Sequence, residues 1–260
     1  MRFAIRSLAA TTLSVLAACG SITDPTGPSA FPSDPSFAKG GGKPPRPPKP
    51  QGTPILFVHG WNSTGGIWTT MIGRFKTDGW TDARLHAFSY NTAVSNATTA
   101  GIIGSKVDSI LVATGASKVA IVSHSMGSLS ARYYVKNVLG ADGKVSAFVS
   151  LAGANHGTQT AGTCVFLFGQ TSCAEMLPGS TFLTALNADD ETPGITAYAT
   201  WRSPCDNVIS PQSSTVLDGA TNTLTSCLQH GQLYTDATVY GQVRSFVNQT
   251  APSAFIASAR

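Results

Sequence analysis

The sequence predicts an α/β fold built on a mainly parallel sheet. Three observations lead there. Short apolar runs recur beyond residue 50 and are continuous rather than alternating, as expected of strands buried on both faces. Segments with apolar residues at helical spacing lie between the runs and stop at glycine. Finally, a chain of 260 residues is long enough for one substantial domain with a well-filled core.

Taken in order, the chain opens with Arg2 and Arg6 ahead of an apolar stretch from Leu8 to Ala18. That stretch is too short to span a bilayer as a permanent helix and reads as a signal peptide over residues 1–18. It ends in LAAC (Leu16 to Cys19), which resembles the lipobox of bacterial lipoproteins. The resemblance implies that Cys19 is acylated and becomes the new N-terminus, holding the exported protein on a membrane. Ordinary secretion, with cleavage near Ala17 or Ala18, is the competing expectation. Residues 19–50 are poor in bulky apolar side chains, are rich in Pro, Gly and Ser, and end in KGGGKPPRPPKP. Such a stretch cannot bury enough surface to fold and reads as a tether.

The folded domain is expected over residues 51–260. PILFVHG (54–60) and KVAIVSH (118–124) are short apolar runs ending in turns, and KVSAFVSLAGA (144–154) and GITAYATW (194–201) behave likewise. NATTAGIIGSKVDSILVATG and MGSLSARYYVKNVLG carry the helical period, and a last helix-like segment covers 235–248.

Charge narrows the function classes. The formal net charge is +4, but residues 1–50 already account for it through Arg2, Arg6, Lys39, Lys43, Arg46 and Lys49 against Asp24 and Asp34. The remainder balances 11 basic against 11 acidic side chains. No basic face is indicated, so nucleic acid is not expected as a partner. Of the five cysteines, removing Cys19 leaves Cys164, Cys173, Cys205 and Cys227. In an oxidising compartment, neighbouring pairing as Cys164–Cys173 and Cys205–Cys227 closes two short loops. A metal site finds no support in C-x-x-C spacing or a histidine pair.

In a parallel sheet, function gathers at the carboxyl ends of the strands. Ser125, in IVSHSMGSLSARYYV, follows one apolar run immediately and precedes a helix. That is the arrangement of a nucleophile elbow, in which a tight turn lifts a hydroxyl above the sheet beside a helix N-terminus. The glycine that commonly opens the motif is replaced by Ser123, a small residue like Gly127 on the other side.

A serine nucleophile needs a base, and the base needs an acid to orient it. His230, in CLQHGQLY, lies in a late loop and fits the order serine, acid, histidine. His156 is the alternative base. His86 is expected as a hydrogen-bonded core or strand residue, His124 as packing, and His59 at the start of an oxyanion loop. Asp206 follows the 194–201 run through the turn RSPCD and is the expected acid, with Asp218 as fallback. Asp189, Asp190 and Glu191 look solvated. Cys205 adjoins Asp206 and Cys227 lies three residues before His230, so a bridge between them would staple the acid loop to the base loop. Oxyanion donors are expected from the backbone N–H groups of Met126 and of Trp61, whose indole would face the acyl pocket.

PILFVHG, VSHSMG, SLAGANHGT and MLPGSTFLTALN, followed by DNVISP and LDGATN, together resemble the bacterial class 2 lipases and related secreted esterases. The resemblance spans roughly residues 52–248. It implies an α/β-hydrolase fold with helices on both faces and little or no lid domain. It also implies carboxylic ester hydrolysis through an acyl-enzyme, with Ser125 as nucleophile, Asp206 as acid, His230 as base, and the Trp61 and Met126 amides as oxyanion donors. No metal or organic cofactor is implied, and a monomer acting on a lipid or small ester is expected. One departure is the apolar insert GTCVFLFGQTSC (162–173), expected as a small flap beside the acyl pocket or as a surface loop with its aromatics packed down. A polyester or cutinase-like hydrolase would use the same site in a more open groove. A binding lipoprotein that has lost catalysis is disfavoured by the intact serine, aspartate, histidine order.

Overall fold

The structure, a computed structural model, describes residues 52–252. The expected signal peptide, Cys19 and the 19–50 tether lie outside the described residues. Six parallel strands form one sheet in the order β2-β1-β3-β4-β5-β6: β1 (Ile55–Val58), β2 (Leu85–Ala87), β3 (Val119–His124), β4 (Val145–Leu151), β5 (Ala197–Arg202) and β6 (Thr221–Leu224). β1, β3 and β4 are buried along their whole length, which is why they read as unbroken apolar runs.

Helices cover both faces. α1 (Thr69–Thr77) and α8 (Ala237–Gln249) contribute Met71, Phe75, Val239, Val243 and Val247 to one core. α2 (Asn96–Thr114) and α3 (Gly127–Asn137) give Ile103, Val107, Ile110, Tyr134 and Val135 to the other. Ser95 caps α2 by accepting from the Ala97 N–H, and Gly115 ends it in the left-handed region at φ 64°. The Glu175 carboxylate also accepts from the Asn96 backbone N–H and from its side chain (2.7 and 2.8 Å), adding negative charge at that helix N-terminus.

Beyond α4 (Ala141–Lys144), the segment after β4 folds as three short helices, α5 (Ala161–Phe168), α6 (Thr171–Glu175) and α7 (Thr181–Leu186). The insert 162–173 is therefore a helical hairpin, closed by the Cys164–Cys173 disulfide. From β1 the chain steps outward to β2, then crosses back to place β3 on the other side of β1. The reversal opens a crevice at the carboxyl ends of β1 and β3.

Candidate active site

Ser125 sits at that crevice, between the end of β3 and the start of α3. Its φ is +55°, a value non-glycine residues adopt only where the surroundings impose it. The turn is held on both sides: the Ser125 N–H donates to Leu151 O (3.0 Å), and the Ser128 N–H donates to Ser125 O (3.0 Å). Crowding explains the small neighbours. A Cβ on Gly127 would collide with the His59 carbonyl oxygen. A Cβ on Gly60 would lie 2.7 Å from Ser125 Cβ, so the loop after β1 passes directly against the serine. Ser123 can replace the usual glycine because its hydroxyl is absorbed within the fold, donating to Val149 O at 2.6 Å.

His230 opens a short 3-10 turn that Gln229 and Gln232 close with a capping box. Its Nδ1 lies 2.9 and 3.0 Å from the two oxygens of Asp206, which is 5% exposed. Asp206 Oδ1 also accepts from the Val208 and Ile209 N–H groups (2.8 and 2.9 Å), so the buried carboxylate is well solvated by protein donors. The Cys205–Cys227 disulfide joins the two loops. Ser203 joins them again, its Oγ lying 2.6 Å from Leu228 O and 2.8 Å from Leu228 N.

Ser125 and His230 line the same cavity, of about 590 Å³. No hydrogen bond links the serine Oγ to the imidazole among the described residues; catalytic contacts of this kind tighten in the complex with substrate. The walls come from Trp61 and Asn62, from Thr158, Thr160 and α5, and from Met176 and the Asn207–Ile209 segment. His230 is the only titratable side chain in the lining. The backbone N–H groups of Trp61 and Met126 have no hydrogen-bond partner among the described residues. The Trp61 indole donates to Gln170 Oε1 (2.6 Å) and packs on Phe168, which ties the loop after β1 to the insert.

The other histidines are placed differently. His86 lies on edge strand β2 with Nε2 3.0 Å from Ala83 O. His59 is buried, stacks on Tyr90, and has its carbonyl oxygen bonded by the Tyr90 hydroxyl. His124 packs against the rings of His230 and Tyr234 and donates from Nε2 to His230 O (3.1 Å). Sequence reasoning foresaw packing for His124, but not that the ring it supports is His230.

His156 does not line the cavity that holds Ser125. It pairs with Glu191 (2.6 Å) and lines a second cavity together with Asp218, so neither the alternative base nor the fallback acid reaches the serine. The reason lies in SLAGANHGT itself. Asn155 Nδ2 donates to Thr215 O and the His156 N–H to Ser214 O, turning this loop toward residues 214–215. Asp189 and Asp190 are exposed as expected, whereas the Glu191 side chain is only 12% exposed because it bonds His156 and the Asp218 N–H. The cavity walls Thr158, Thr160, Met176 and Asn207–Ile209 were missed; adjacency to Asp206 was the available signal for the last group.

Two of these rings make stability depend on pH. Burial lowers the affinity of His59 for a proton, and burial together with the neighbouring His230 lowers that of His124 further. Both are neutral in the folded protein when the unfolded chain, with a pKa near 6.5, begins to bind protons. Stability is therefore highest above about pH 6.5 and falls as pH drops below it, by up to about 1.4 kcal/mol per pH unit for each group. Melting curves across pH 4.5–8 check this: His124→Gln flattens the acid limb, and an unaltered limb would mean that this ring titrates normally.

The comparisons agree with this architecture. A family model described as Lipase (class 2) matches residues 52–250. Among solved structures, the mature form of a Bacillus licheniformis lipase is similar over 77% of this chain and 94% of its own, at 17% identity and a TM-score of 0.67. A monoacylglycerol lipase from Paleococcus ferrophilus is similar over 77% and 96%, at 13% identity and 0.53. An esterase from a Rhodococcus species is similar over 77% and 92%, at 14% identity and 0.51. At these identities the likeness carries the fold, and the family model carries the family.

Proposed function

The chain belongs to the class 2 lipase family of the α/β-hydrolase fold, and from that footing we propose that it is a serine carboxylic ester hydrolase using Ser125, His230 and Asp206. The observation that carries the reading is one cavity holding a serine at positive φ and a histidine whose far nitrogen bonds a buried carboxylate. Ser125 Oγ attacks the ester carbonyl while His230 Nε2 takes its proton, and Asp206 holds Nδ1–H and stabilises the imidazolium. The unpaired Trp61 and Met126 amides receive the developing oxyanion. Collapse expels the alcohol, which takes its proton from His230. A water activated by the same ring then releases the acid from the acyl-enzyme.

The largely apolar cavity suits an acyl chain, and its volume falls in the usual range for small-molecule sites. The two disulfides suit an extracytoplasmic location, and the LAAC motif supports a lipid anchor on Cys19. The purified protein is expected to hydrolyse p-nitrophenyl esters from acetate upward, and the full-length product is expected to fractionate with membranes. Absence of activity across acetate to palmitate would remove the enzymatic reading; a wholly soluble full-length product would remove the anchor.

A further inference from the structure

We propose that Tyr90 is a positioning residue for the oxyanion site, acting through His59 on the Gly60–Trp61 peptide group whose N–H is the oxyanion donor. The inference rests on the ester-hydrolase reading and adds a residue from outside the cavity lining.

Tyr90 meets His59 twice. Its hydroxyl donates to the His59 carbonyl oxygen, and its ring stacks on the imidazole with centroids 4.2 Å apart and planes 21° from parallel. His59 in turn holds the next peptide group, its Nδ1 lying 2.9 Å from Gly60 O. A carbonyl oxygen only accepts, so Nδ1 carries the proton. Burial favours the neutral ring and leaves Nε2 bare, and that buried nitrogen has no partner among the described residues. Gly60 O and the Trp61 N–H belong to one planar peptide unit. Holding the oxygen therefore fixes the direction of the N–H, and polarising it strengthens the N–H as a donor.

The neighbours of Tyr90 hold the same loop. Ser89 Oγ accepts from the Gly65 N–H (3.0 Å), and Thr92 Oγ1 accepts from the Asn62 N–H (3.2 Å). A Cβ on Gly65 would lie 3.0 Å from Phe88 O, so the loop after β1 rests directly on this segment. The segment is itself fastened to the insert, where Ser172 Oγ donates to Thr92 O (2.6 Å). The peptide groups before and after the Trp61 N–H are thus both held, the first by Tyr90 and the second by Thr92.

An oxyanion donor is effective when it is aimed in advance and does not reorganise as charge develops. Tyr90 supplies that aim without touching substrate, since it does not line the cavity. Burial also raises the proton affinity of its phenol, so the hydroxyl remains a donor into alkaline solution.

The test compares Tyr90→Phe with wild type and with Tyr198→Phe, a control that removes a hydroxyl bonded to Pro193 O before β5. Rates for p-nitrophenyl butyrate are expressed per serine titrated with a p-nitrophenyl phosphonate, so that misfolded molecules do not count. Phenylalanine keeps the ring over His59 and removes only the hydrogen bond. We expect kcat per titrated serine to fall about tenfold or more, part of the effect of losing an oxyanion donor. KM should stay within about threefold of wild type. Inhibition by a trifluoromethyl ketone, which forms a tetrahedral adduct with the serine, should weaken by the same factor as kcat/KM. Thr92→Val should act in the same direction with a smaller loss, and it supplies the reading if Tyr90→Phe does not fold. Tyr198→Phe should keep the wild-type kcat. Unchanged kcat per titrated serine in the folded variant, a loss carried by KM, or an equal loss in Tyr198→Phe would overturn the inference. A wild-type protein with neither turnover nor a titratable serine would instead overturn the ester-hydrolase reading.

Discussion

Ser125→Ala is expected to lower kcat for ester hydrolysis by at least about a thousandfold and to leave the fold intact. Three threonines, Thr158, Thr160 and Thr163, carry the other hydroxyls in the cavity lining. Thr158 and Thr160 both bond Val208 O (2.6 and 2.8 Å), and none of the three threonines hydrogen-bonds the His230 ring among the described residues. The strain at φ +55° belongs to the backbone, and alanine meets it as serine does. The melting temperature should therefore shift by no more than a few degrees, as for an ordinary point change. Steady-state turnover alongside thermal melting checks both halves. Substantial activity in a folded Ser125→Ala protein would displace the acyl-enzyme mechanism.

His230→Ala is expected to cost about as much as the serine change, because residues that act as a unit fail together. His156→Ala should keep turnover within a few-fold of wild type, since its ring bonds Glu191 in a different cavity. Asp206→Asn tests the same unit from the other end: an amide facing Nδ1 allows the wrong imidazole tautomer, with a loss of about four orders of magnitude in comparable triads. Equal activity in His230→Ala and His156→Ala would mean that the base has been misassigned.

Much of this arrangement was legible before any coordinates, and the exceptions have physical causes. β1, β3, β4 and β5 were readable because burial on both faces leaves a mark in composition. β6 was not, because TNTL is an edge strand with three of its four residues exposed, and its polar side chains satisfy no apolar pattern. β2 is only three residues long. α1 was overlooked for a related reason: only Met71 and Phe75 of its nine residues are buried.

Ser125 was legible because strand, turn and helix are contiguous in the chain. The Trp61–Gln170 link was not, because it joins residues 109 positions apart and exists only once the hairpin folds back over the site. His156, the alternative base, shows the same limit from the other side. Its position after a strand end suits catalysis, and only the direction its loop takes, pulled toward residues 214–215, removes it.

The acid and base loops are fastened twice, once by Cys205–Cys227 and once by Ser203. The second fastening is noncovalent and adds to the hold of the bridge on the same two loops, but the bridge acts beyond the native molecule as well. Its effect falls on the denatured chain, where closing a loop between residues 22 apart removes freedom equivalent to about 3 kcal/mol. Irreversible unfolding and proteolysis act on whatever fraction of the molecule opens. The bridge thus bears on how long the molecule survives more than on how fast it turns over, and persistence becomes a property separable from catalysis.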